Sequence, residues 1–125
     1  MVWEEINMIK LVEKEKNYIY IEAKDMITKE DVGNIIPEFE DLIKKFGKVR
    51  TLIVMDKVKG YSLEGFLVDF NFYLKHKNNF DYTAFVGDKK LEKHILKLSE
   101  NIMPGKVRYF DVSELDKAKE WIKQQ

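Results

Sequence analysis

The chain has 125 residues, 45% of them hydrophobic and 35% charged, which is the size and composition of one globular domain. Its 22 Lys and Arg balance 22 Asp and Glu, and this argues against a nucleic-acid binder, which usually carries a basic excess. The absence of Cys excludes disulfides, thiolate metal sites and thiol catalysis, and two His leave little from which to build a zinc centre.

Neither a targeting signal nor a membrane span is predicted. Residues 1–5 are partly acidic and contain no uninterrupted apolar run, so they do not form a signal peptide. No stretch approaches the roughly 20 apolar residues that cross a bilayer. No linker, repeat or low-complexity tract divides the chain. We therefore expect one domain over residues 1–125, cytoplasmic and without a transmembrane segment.

Two runs of β-branched and aromatic residues open the chain. They occupy residues 6–12 and 18–23, and residues 13–17, four of which are charged, separate them. This spacing predicts an antiparallel hairpin with a charged turn.

A helix is predicted next. Thr28 to Asp31 resembles a capping box, and an apolar stripe at spacings of three and four continues to Phe46. Gly47 ends the stripe. Pro37 lies within it, where it removes a hydrogen bond and crowds the preceding turn, so we expect a kink or a short break there.

The rest of the chain alternates between strand-like and helix-like periods. Strands are predicted at 52–55, 82–86 and 107–110, and helices at 62–76, at 88–102 and after a second capping box at 113–116. The order β-β-α-β-α-β-α-β-α predicts an α/β fold with four helices and a mixed sheet of about five strands. All strands except the first are expected to be parallel, through right-handed crossovers. The strand order stays open.

The middle and end of the chain resemble the SpoIIAA-like family, whose fold belongs with STAS and CRAL-TRIO domains. The resemblance spans nearly the whole chain in order, and no single motif in it is specific. It rests on Lys48-Val49-Arg50, Gly60-Tyr61-Ser62, Asp69-Phe70, Leu74-Lys75-His76, Phe80-Asp81, residues 84–89, residues 107–111 and Trp121-Ile122. It implies a STAS-like fold. STAS domains act as anti-sigma-factor antagonists and as cytoplasmic parts of anion transporters, and CRAL-TRIO relatives bind lipids.

Ser62 is the residue on which the resemblance bears most directly. Antagonists place a phosphorylatable serine at the start of the helix after the third strand, in an Asp-Ser-Ser-Gly-like context. Ser62 occupies a comparable place, but the Asp-Ser pair is missing. Tyr61 and Leu91 also stand where family members often carry Trp. Because Ser is a preferred N-cap, a capping role is favoured over a phosphorylation site.

Any binding site is expected at the carboxyl ends of the parallel strands, where ligands of open α/β sheets bind. Gly87 to Lys89 could offer backbone N–H groups to an anion, but this segment lacks a phosphate-loop pattern, and Asp88 is more simply a helix cap. The candidates for a ligand or partner site are Asp56, Lys57, Gly60, Tyr61, Ser62, Gly87, Asp88, Lys89 and Asp111.

The predicted helix 62–76 is apolar on more than one side. Helical spacing groups Leu63, Phe66, Leu67, Phe70 and Leu74 as the core face. Val68 and Phe72 then project to the opposite side, where neighbouring helices would cover them or a second copy of the chain would bind. We take these two residues as a candidate homodimer or partner patch.

These features predict a non-enzymatic STAS-like regulatory or protein-interaction domain whose partner is another protein or a second copy. The alternative is a carrier of a small apolar or lipid-like ligand, for which the aromatic helix would line a cavity of roughly 300 Å³ or more. No catalytic residue, cofactor or metal site is predicted. His76 and His94 have no evident partner, and an enzyme would need ionisable groups clustered in one cleft.

Overall fold

The computed structural model describes residues 8–88 and 106–125, which form a mixed five-stranded sheet with helices on both faces. The strands are β1 (Ile9–Glu15), β2 (Tyr18–Ile27), β3 (Val49–Tyr61), β4 (Phe80–Gly87) and β5 (Lys106–Asp111). The α-helices of this part of the chain are α1 (Lys29–Phe46), α2 (Leu63–His76) and α3 (Leu115–Lys123). One-turn 3-10 helices follow α2 and precede α3, at Lys77–Asn79 and Val112–Glu114. The helix predicted at 88–102 lies outside the described residues from position 89 onward.

The strands are arranged in chain order, β1-β2-β3-β4-β5. The β1–β2 pair is antiparallel and the other pairs are parallel, which confirms the predicted hairpin and mixed sheet. Each parallel strand therefore lies beside the strand that precedes it in sequence. Because crossovers between such neighbours are right-handed, the helices that connect them fall on one face of the sheet.

The hairpin turn is shorter than predicted. β1 continues through Glu15, and only Lys16 and Asn17 turn the chain, with Lys16 at a φ of +52°. Successive residues of this charged run contact helices on opposite faces of the sheet. Lys14 Nζ lies 2.8 Å from Glu38 Oε2 of α1, and Glu13 Oε1 lies 3.4 Å from Lys123 Nζ of α3.

Two hydrophobic layers form the core. One lies between the sheet and the pair α1 and α2, with Ile19, Ile21, Val49, Met55 and Phe85 from the strands and Val32, Phe39 and Leu42 from α1. The other lies between the sheet and α3, with Tyr18, Tyr20, Leu52, Val54, Ala84, Val86 and Phe110 from the strands and Ala118 and Ile122 from α3. The sheet is thus covered on both faces, as the continuous apolar run in β3 predicts.

Helix α1 begins with the predicted capping box. The Asp31 N–H donates to Thr28 Oγ1 at 3.3 Å, and the Thr28 N–H donates to Asp31 Oδ2 at 2.8 Å. Gly47 ends the helix at a φ of +78°, which favours glycine. The short break predicted at Pro37 is wrong, because α1 runs unbroken through it. Buried side chains before and after Pro37 hold both halves of the helix to one core.

Helix α2 directs Val68 and Phe72 towards the core, which is not the orientation that spacing alone predicts. Val68 and Phe72 pack against the layer beneath α1 and α2, and the Phe72 ring centroid lies 6.2 Å from that of Phe39. Leu67 and Leu74, predicted as core, remain 48% and 45% exposed. The predicted outward position of Val68 and Phe72 is therefore wrong, and their role as a homodimer or partner patch stays a prediction.

Gly65 accounts for this orientation. A Cβ at this position would lie 2.8 Å from the carbonyl carbon of Thr28 and 3.0 Å from the carbonyl oxygen of Ile27. Only glycine lets α2 approach the end of β2 so closely. Val68 and Phe72 follow Gly65 by three and seven positions, so they share its face of the helix.

Helix α3 is anchored at both ends. Ala118 and Ile122 are fully buried, and Leu115 and Trp121 pack beside them. The capping box predicted at 113–116 is wrong. The capping residue is Asp111, which accepts from the Ser113 N–H at 3.0 Å and so begins the preceding 3-10 turn.

The carboxyl end of α3 is capped by an arginine from β3. Arg50 Nη1 donates to the carbonyl oxygens of Ile122 and Lys123 at 3.0 and 3.1 Å. Its Nε donates to Asn17 Oδ1 at 2.9 Å, which also ties the hairpin turn to this corner. In the described part of the chain, no helix combines the length and the apolar character needed to cross a membrane.

Candidate functional site

The carboxyl ends of four strands define one edge of the molecule, which we call the carboxyl edge. Here β2 ends at Ile27, β3 at Tyr61, β4 at Gly87 and β5 at Asp111. The strand that each helix follows fixes where that helix begins, so α1 and α2 both start at this edge. Because β2 and β3 are neighbours, the two helix N-termini lie side by side.

A direct backbone contact joins these two N-termini. The Ser62 N–H donates to the carbonyl oxygen of Ile27 at 2.8 Å, which extends the pairing of β2 and β3 by one residue. The Ser62 hydroxyl accepts from the Gly65 N–H at 3.0 Å. Ser62 is therefore the N-cap of α2, as predicted, and Thr28 plays the same part in α1.

An open cleft of about 430 Å³ lies between the two helix starts. We call it the helix-tip cleft, and it is lined by Thr28, Lys29, Glu30, Ser62 and Glu64. Lys29 Nζ lies 3.8 Å from Glu64 Oε2, so an ion pair links the first turns of α1 and α2. Both side chains are well exposed, and exposed pairs of this kind contribute little to stability.

The charges of the helix-tip cleft decide which ligands suit it. Two carboxylates, from Glu30 and Glu64, lie beside one ammonium group, from Lys29. This excess of negative charge offsets the attraction that two helix N-termini exert on an anion. The residues that line the cleft are of the types Ser, Thr, Lys and Glu, and the cleft is open to solvent. It is therefore an open groove with charged side chains rather than an enclosed apolar cavity.

The predicted site residues of β3 take two different positions. Ser62 lines the helix-tip cleft, and Gly60 and Tyr61 are the last two residues of β3. Asp56 and Lys57 lie inside β3, because the strand continues past the predicted end at position 55. It continues because β2 is also longer than predicted and pairs with it as far as Tyr61.

A second group of predicted residues lies at the ends of β4 and β5. Gly87 and Asp111 are paired in register, and Asp88 follows Gly87 directly. The Tyr109 hydroxyl donates to the carbonyl oxygens of Gly87 and Asp88, which fastens the end of β4 to β5. Lys89 lies outside the described residues.

The remaining titratable groups of this part of the chain form no metal-binding cluster. Within residues 8–88 and 106–125, no three His, Asp or Glu side chains come close enough together to hold a metal ion. His76 lies at the end of α2, at the opposite edge of the sheet, with its ring centroid 4.7 Å from that of Phe72. His94 lies outside the described residues.

Sequence reasoning did not assign four members of the helix-tip cleft to a site, namely Thr28, Lys29, Glu30 and Glu64. Lys29 and Glu30 lie in a capping motif that marks a helix start in the sequence and in the structure. Nothing in the sequence places that start next to Ser62, because the adjacency depends on the strand order. Once β2 and β3 are known to be neighbours, the N-caps Thr28 and Ser62 show that the two helix starts, and so the cleft, lie side by side.

Two solved structures have the same fold over nearly the whole chain. An uncharacterized protein with a SpoIIAA-like fold from Shewanella loihica aligns with a TM-score of 0.77 and 23% identity, over 91% of this chain and 93% of its own. The Bacillus cell fate determinant SpoIIAA in its phosphorylated form aligns with a TM-score of 0.57 and 12% identity, over 90% and 98%. The fold is therefore the STAS fold of SpoIIAA, as the resemblance implied.

Comparison of the sequence itself finds one matching family. No curated protein sequence matches this chain. The family model described as SpoIIAA-like matches residues 18–123, a span that begins with β2 and ends with α3. The chain belongs to the SpoIIAA-like family.

Proposed function

We propose that this protein is a non-enzymatic regulatory domain that binds another protein at the carboxyl edge, centred on the helix-tip cleft. The observation that carries the proposal is the convergence of two capped helix starts on one open, charged cleft. In that cleft Lys29, Glu30 and Glu64 present exposed charges on backbone held by the Ser62–Ile27 hydrogen bond. Charged side chains on a rigid frame are suited to partner recognition and selectivity.

The family supports a regulatory role. The Bacillus relative is a cell fate determinant whose structure is of the phosphorylated form. Antagonists of that kind place their phosphorylatable serine at the start of the helix after the third strand, and Ser62 holds this place in the present chain. Its hydroxyl accepts the Gly65 N–H as an N-cap, so the residue has a structural role irrespective of modification.

A carrier of apolar ligands is the alternative that the sequence left open. Such a carrier needs an enclosed apolar cavity, whereas the helix-tip cleft is open and lined by hydroxyls and charges. In α2, Phe72 is occupied by packing, since its ring contacts the rings of Phe39 and Phe80. The comparisons add no support for lipid binding. The observations therefore favour a protein partner.

Site-specific photo-crosslinking tests the proposal. A photoreactive amino acid replaces Glu64 in the cleft or, as the control, Glu40, an exposed residue in the second half of α1. In the cells that make the protein, the Glu64 position should give a discrete adduct that mass spectrometry identifies, and the Glu40 position should not.

The identified partner then allows a quantitative comparison of matched charge reversals. Glu64→Lys should weaken binding of the purified partner by about tenfold or more, because it removes a carboxylate from the contact. Glu40→Lys should leave the affinity unchanged. Equal adducts from both positions, or equal affinities of both variants, would contradict the proposal.

A further inference from the structure

The chain has two arginines, and the structure uses them in different ways. Arg50 stabilises the fold, since it donates to the last carbonyl oxygens of α3 and to Asn17. Arg108, in β5, is exposed, and its side chain makes no hydrogen bond or ion pair with any residue that the structure describes. The N–H groups of Arg108 are therefore available to a ligand, and the surroundings of this side chain decide which ligand suits it.

Aromatic rings hold the guanidinium of Arg108 in place. Its central carbon lies 4.7 Å from the ring centroid of Phe110 and 5.9 Å from that of Trp121. The Trp121 ring is itself fixed between Phe110 and Tyr82, with a centroid distance of 6.0 Å to each. We call these four side chains the Arg108 platform. They come from β4, β5 and α3, so their positions are set by the packing of regular elements rather than by a loop.

Contact with the rings leaves the hydrogen-bonding capacity of Arg108 unused. A guanidinium carries five N–H donors in one plane, and a ring face attracts its charge without offering it an oxygen acceptor. The contacts also restrict the side chain in advance, which lowers the entropy that it loses when a ligand binds. An arginine placed in this way is preorganised for an acidic group, which accepts two parallel N–H bonds from it.

The acidic residues of the strands that carry the platform do not neutralise Arg108. Asp81 adjoins Tyr82 in β4, so strand alternation directs its carboxylate to the opposite face of the sheet. Asp111, at the end of β5, accepts from the N–H and the hydroxyl of Ser113 at 3.0 and 2.8 Å. Neither carboxylate lies within ion-pair distance of the guanidinium.

The acidic residues of the third element do not neutralise it either. Glu114, which directly precedes α3, has Oε2 3.6 Å from Lys117 Nζ. Asp116 and Glu120 lie five and one positions before Trp121. At about 3.6 residues per turn, neither of them shares its side of the helix. Within the described part of the chain, the guanidinium of the platform thus has no counter-ion.

The composition of the platform favours a carboxylate over a phosphate. Arg108 is its one positive charge, and a single charge matches a carboxylate, whereas a phosphate carries close to two charges and is commonly bound by a cluster of arginines. The half-buried rings of Tyr82 and Trp121 add apolar surface beside the guanidinium. Trp, Tyr and Arg are also the residues that most often dominate the affinity of protein interfaces. This combination fits an acidic side chain of a protein, next to an apolar one.

We propose that the Arg108 platform is a second docking site, which binds an Asp or Glu side chain of a partner protein. The carboxylate accepts two hydrogen bonds from Arg108, and an apolar neighbour of that acid packs on Trp121. The proposal goes beyond the proposed function, because the two sites are separate. The platform lies on the face of the sheet that α3 covers, whereas the helix-tip cleft lies between the starts of α1 and α2.

A peptide selection tests this inference even while the partner is unidentified. A phage-displayed library of random peptides is selected on the full chain and depleted on its Arg108→Gln variant. The enriched sequences should contain Asp or Glu next to an apolar residue. Recovery of no peptide after depletion, or of sequences without an acidic residue, would overturn the proposal.

A double-mutant cycle then isolates the contact. An enriched peptide is synthesised with a fluorophore, and its affinity is measured by anisotropy. Replacing its acidic residue by the corresponding amide should weaken binding to the wild type by about tenfold or more. The same replacement should hardly change binding to Arg108→Gln, because the group that binds the carboxylate is already absent. Arg108→Lys, which keeps the charge but not the planar fork, should retain only part of the affinity.

A matched control removes an exposed positive charge from the other face of the molecule. Lys44→Gln, in α1, should bind the peptide as the wild type does. Circular dichroism verifies the fold of each variant, and Arg108→Lys serves for depletion and for the cycle if Arg108→Gln does not fold. Losses that simply add in the cycle, or equal weakening by Arg108→Gln and Lys44→Gln, would contradict a direct contact with the carboxylate.

Other results would assign the Arg108 platform to a different occupant. A peptide with phosphoserine in place of its acidic residue that binds more than tenfold more tightly would indicate a phosphorylated partner. A wild-type dimer in light scattering that Arg108→Gln dissociates would indicate a second copy of the chain. If no peptide survives depletion while Glu64 still gives its adduct, this docking site fails and the proposed function stands. Coupling in the cycle without an adduct at Glu64 would give the reverse outcome.

Discussion

Helices α1 and α2 lie side by side on the same face of the sheet, yet their sequences specify that packing in different ways. Both begin with a hydroxyl N-cap at the carboxyl edge. α1 has one apolar stripe, acidic residues in its first turn and lysines in its last, so its orientation follows from the pattern. α2 carries apolar residues on both sides, and Leu67 and Leu74 stay exposed. In α2 a glycine, rather than the amount of apolar surface, determines which side faces the core.

The largest effect that this comparison predicts is at Phe72. Phe72→Ala should lower the free energy of unfolding by about 2–4 kcal/mol, because the ring packs between Phe39 and Phe80 and its loss leaves a cavity. Leu67→Ala, on the exposed side of the same helix, should change it by less than about 0.5 kcal/mol. Chemical denaturation followed by circular dichroism measures both. A larger loss of stability in Leu67→Ala than in Phe72→Ala would contradict the observed orientation of α2 and support the one predicted from spacing.

The glycines of the two helices should respond in opposite directions. Gly65→Ala should destabilise the protein by about 1–3 kcal/mol, because the new Cβ meets the backbone of Ile27 and Thr28. Gly33→Ala in α1 should stabilise it by about 0.5–1 kcal/mol, since no atom lies within 4 Å and alanine favours a helix. Thermal unfolding of the two variants provides the comparison. A stabilising Gly65→Ala would show that α2 does not depend on the close approach.

The contrast also shows how far the sequence predicts this fold. The hairpin, the start and end of α1, the bounds of α2 and the inward face of α3 follow from local patterns, because each depends on caps and periodicity within one segment. The face of α2 does not, since it depends on the backbone that meets Gly65. The length of β3 does not either, because residues 56–61 are held by β2, and their charges resemble those of a loop.

The candidate site likewise has one part that the sequence predicts and one part that it does not. The general rule for open α/β sheets placed it at the carboxyl edge and included Ser62, which lines the helix-tip cleft. Lys29 and Glu64 were missed because they belong to two segments, separated by the whole of α1 and β3, that only the strand order brings together. The sequence pattern within one segment does not show which residues of another segment it will contact.

A smaller effect on stability is predicted for Asp69, the acidic residue in the middle of α2. Burial raises the pKa of Asp69 to about 6, from its ordinary value of 3.8. The folded protein therefore binds this proton more tightly than the unfolded chain, and the contribution of Asp69 to stability falls as the pH rises from about 4 to about 6. The residue keeps an exposed surface, so solvent screening should hold the change below about 1 kcal/mol.

Asp69→Asn isolates this contribution. The variant should be slightly more stable than the wild type above pH 6, and the difference should vanish towards pH 4, where the carboxyl is protonated in the folded protein. Urea denaturation at a series of pH values measures the difference. Curves for the two proteins that stay parallel from pH 4 to 8 would contradict the assignment.

The central claim is that the carboxyl edge recognises a partner protein, and hydrogen–deuterium exchange tests it most directly. Exchange is followed by mass spectrometry on the full chain, alone and with the partner identified through Glu64. Binding should slow amide exchange in residues 24–31 and 55–65, which form the carboxyl ends of β2 and β3 and the two helix starts. Residues 72–80, at the opposite edge, should exchange as in the free protein. Protection confined to residues 72–80 or to α3, with the carboxyl edge unchanged, would contradict the claim.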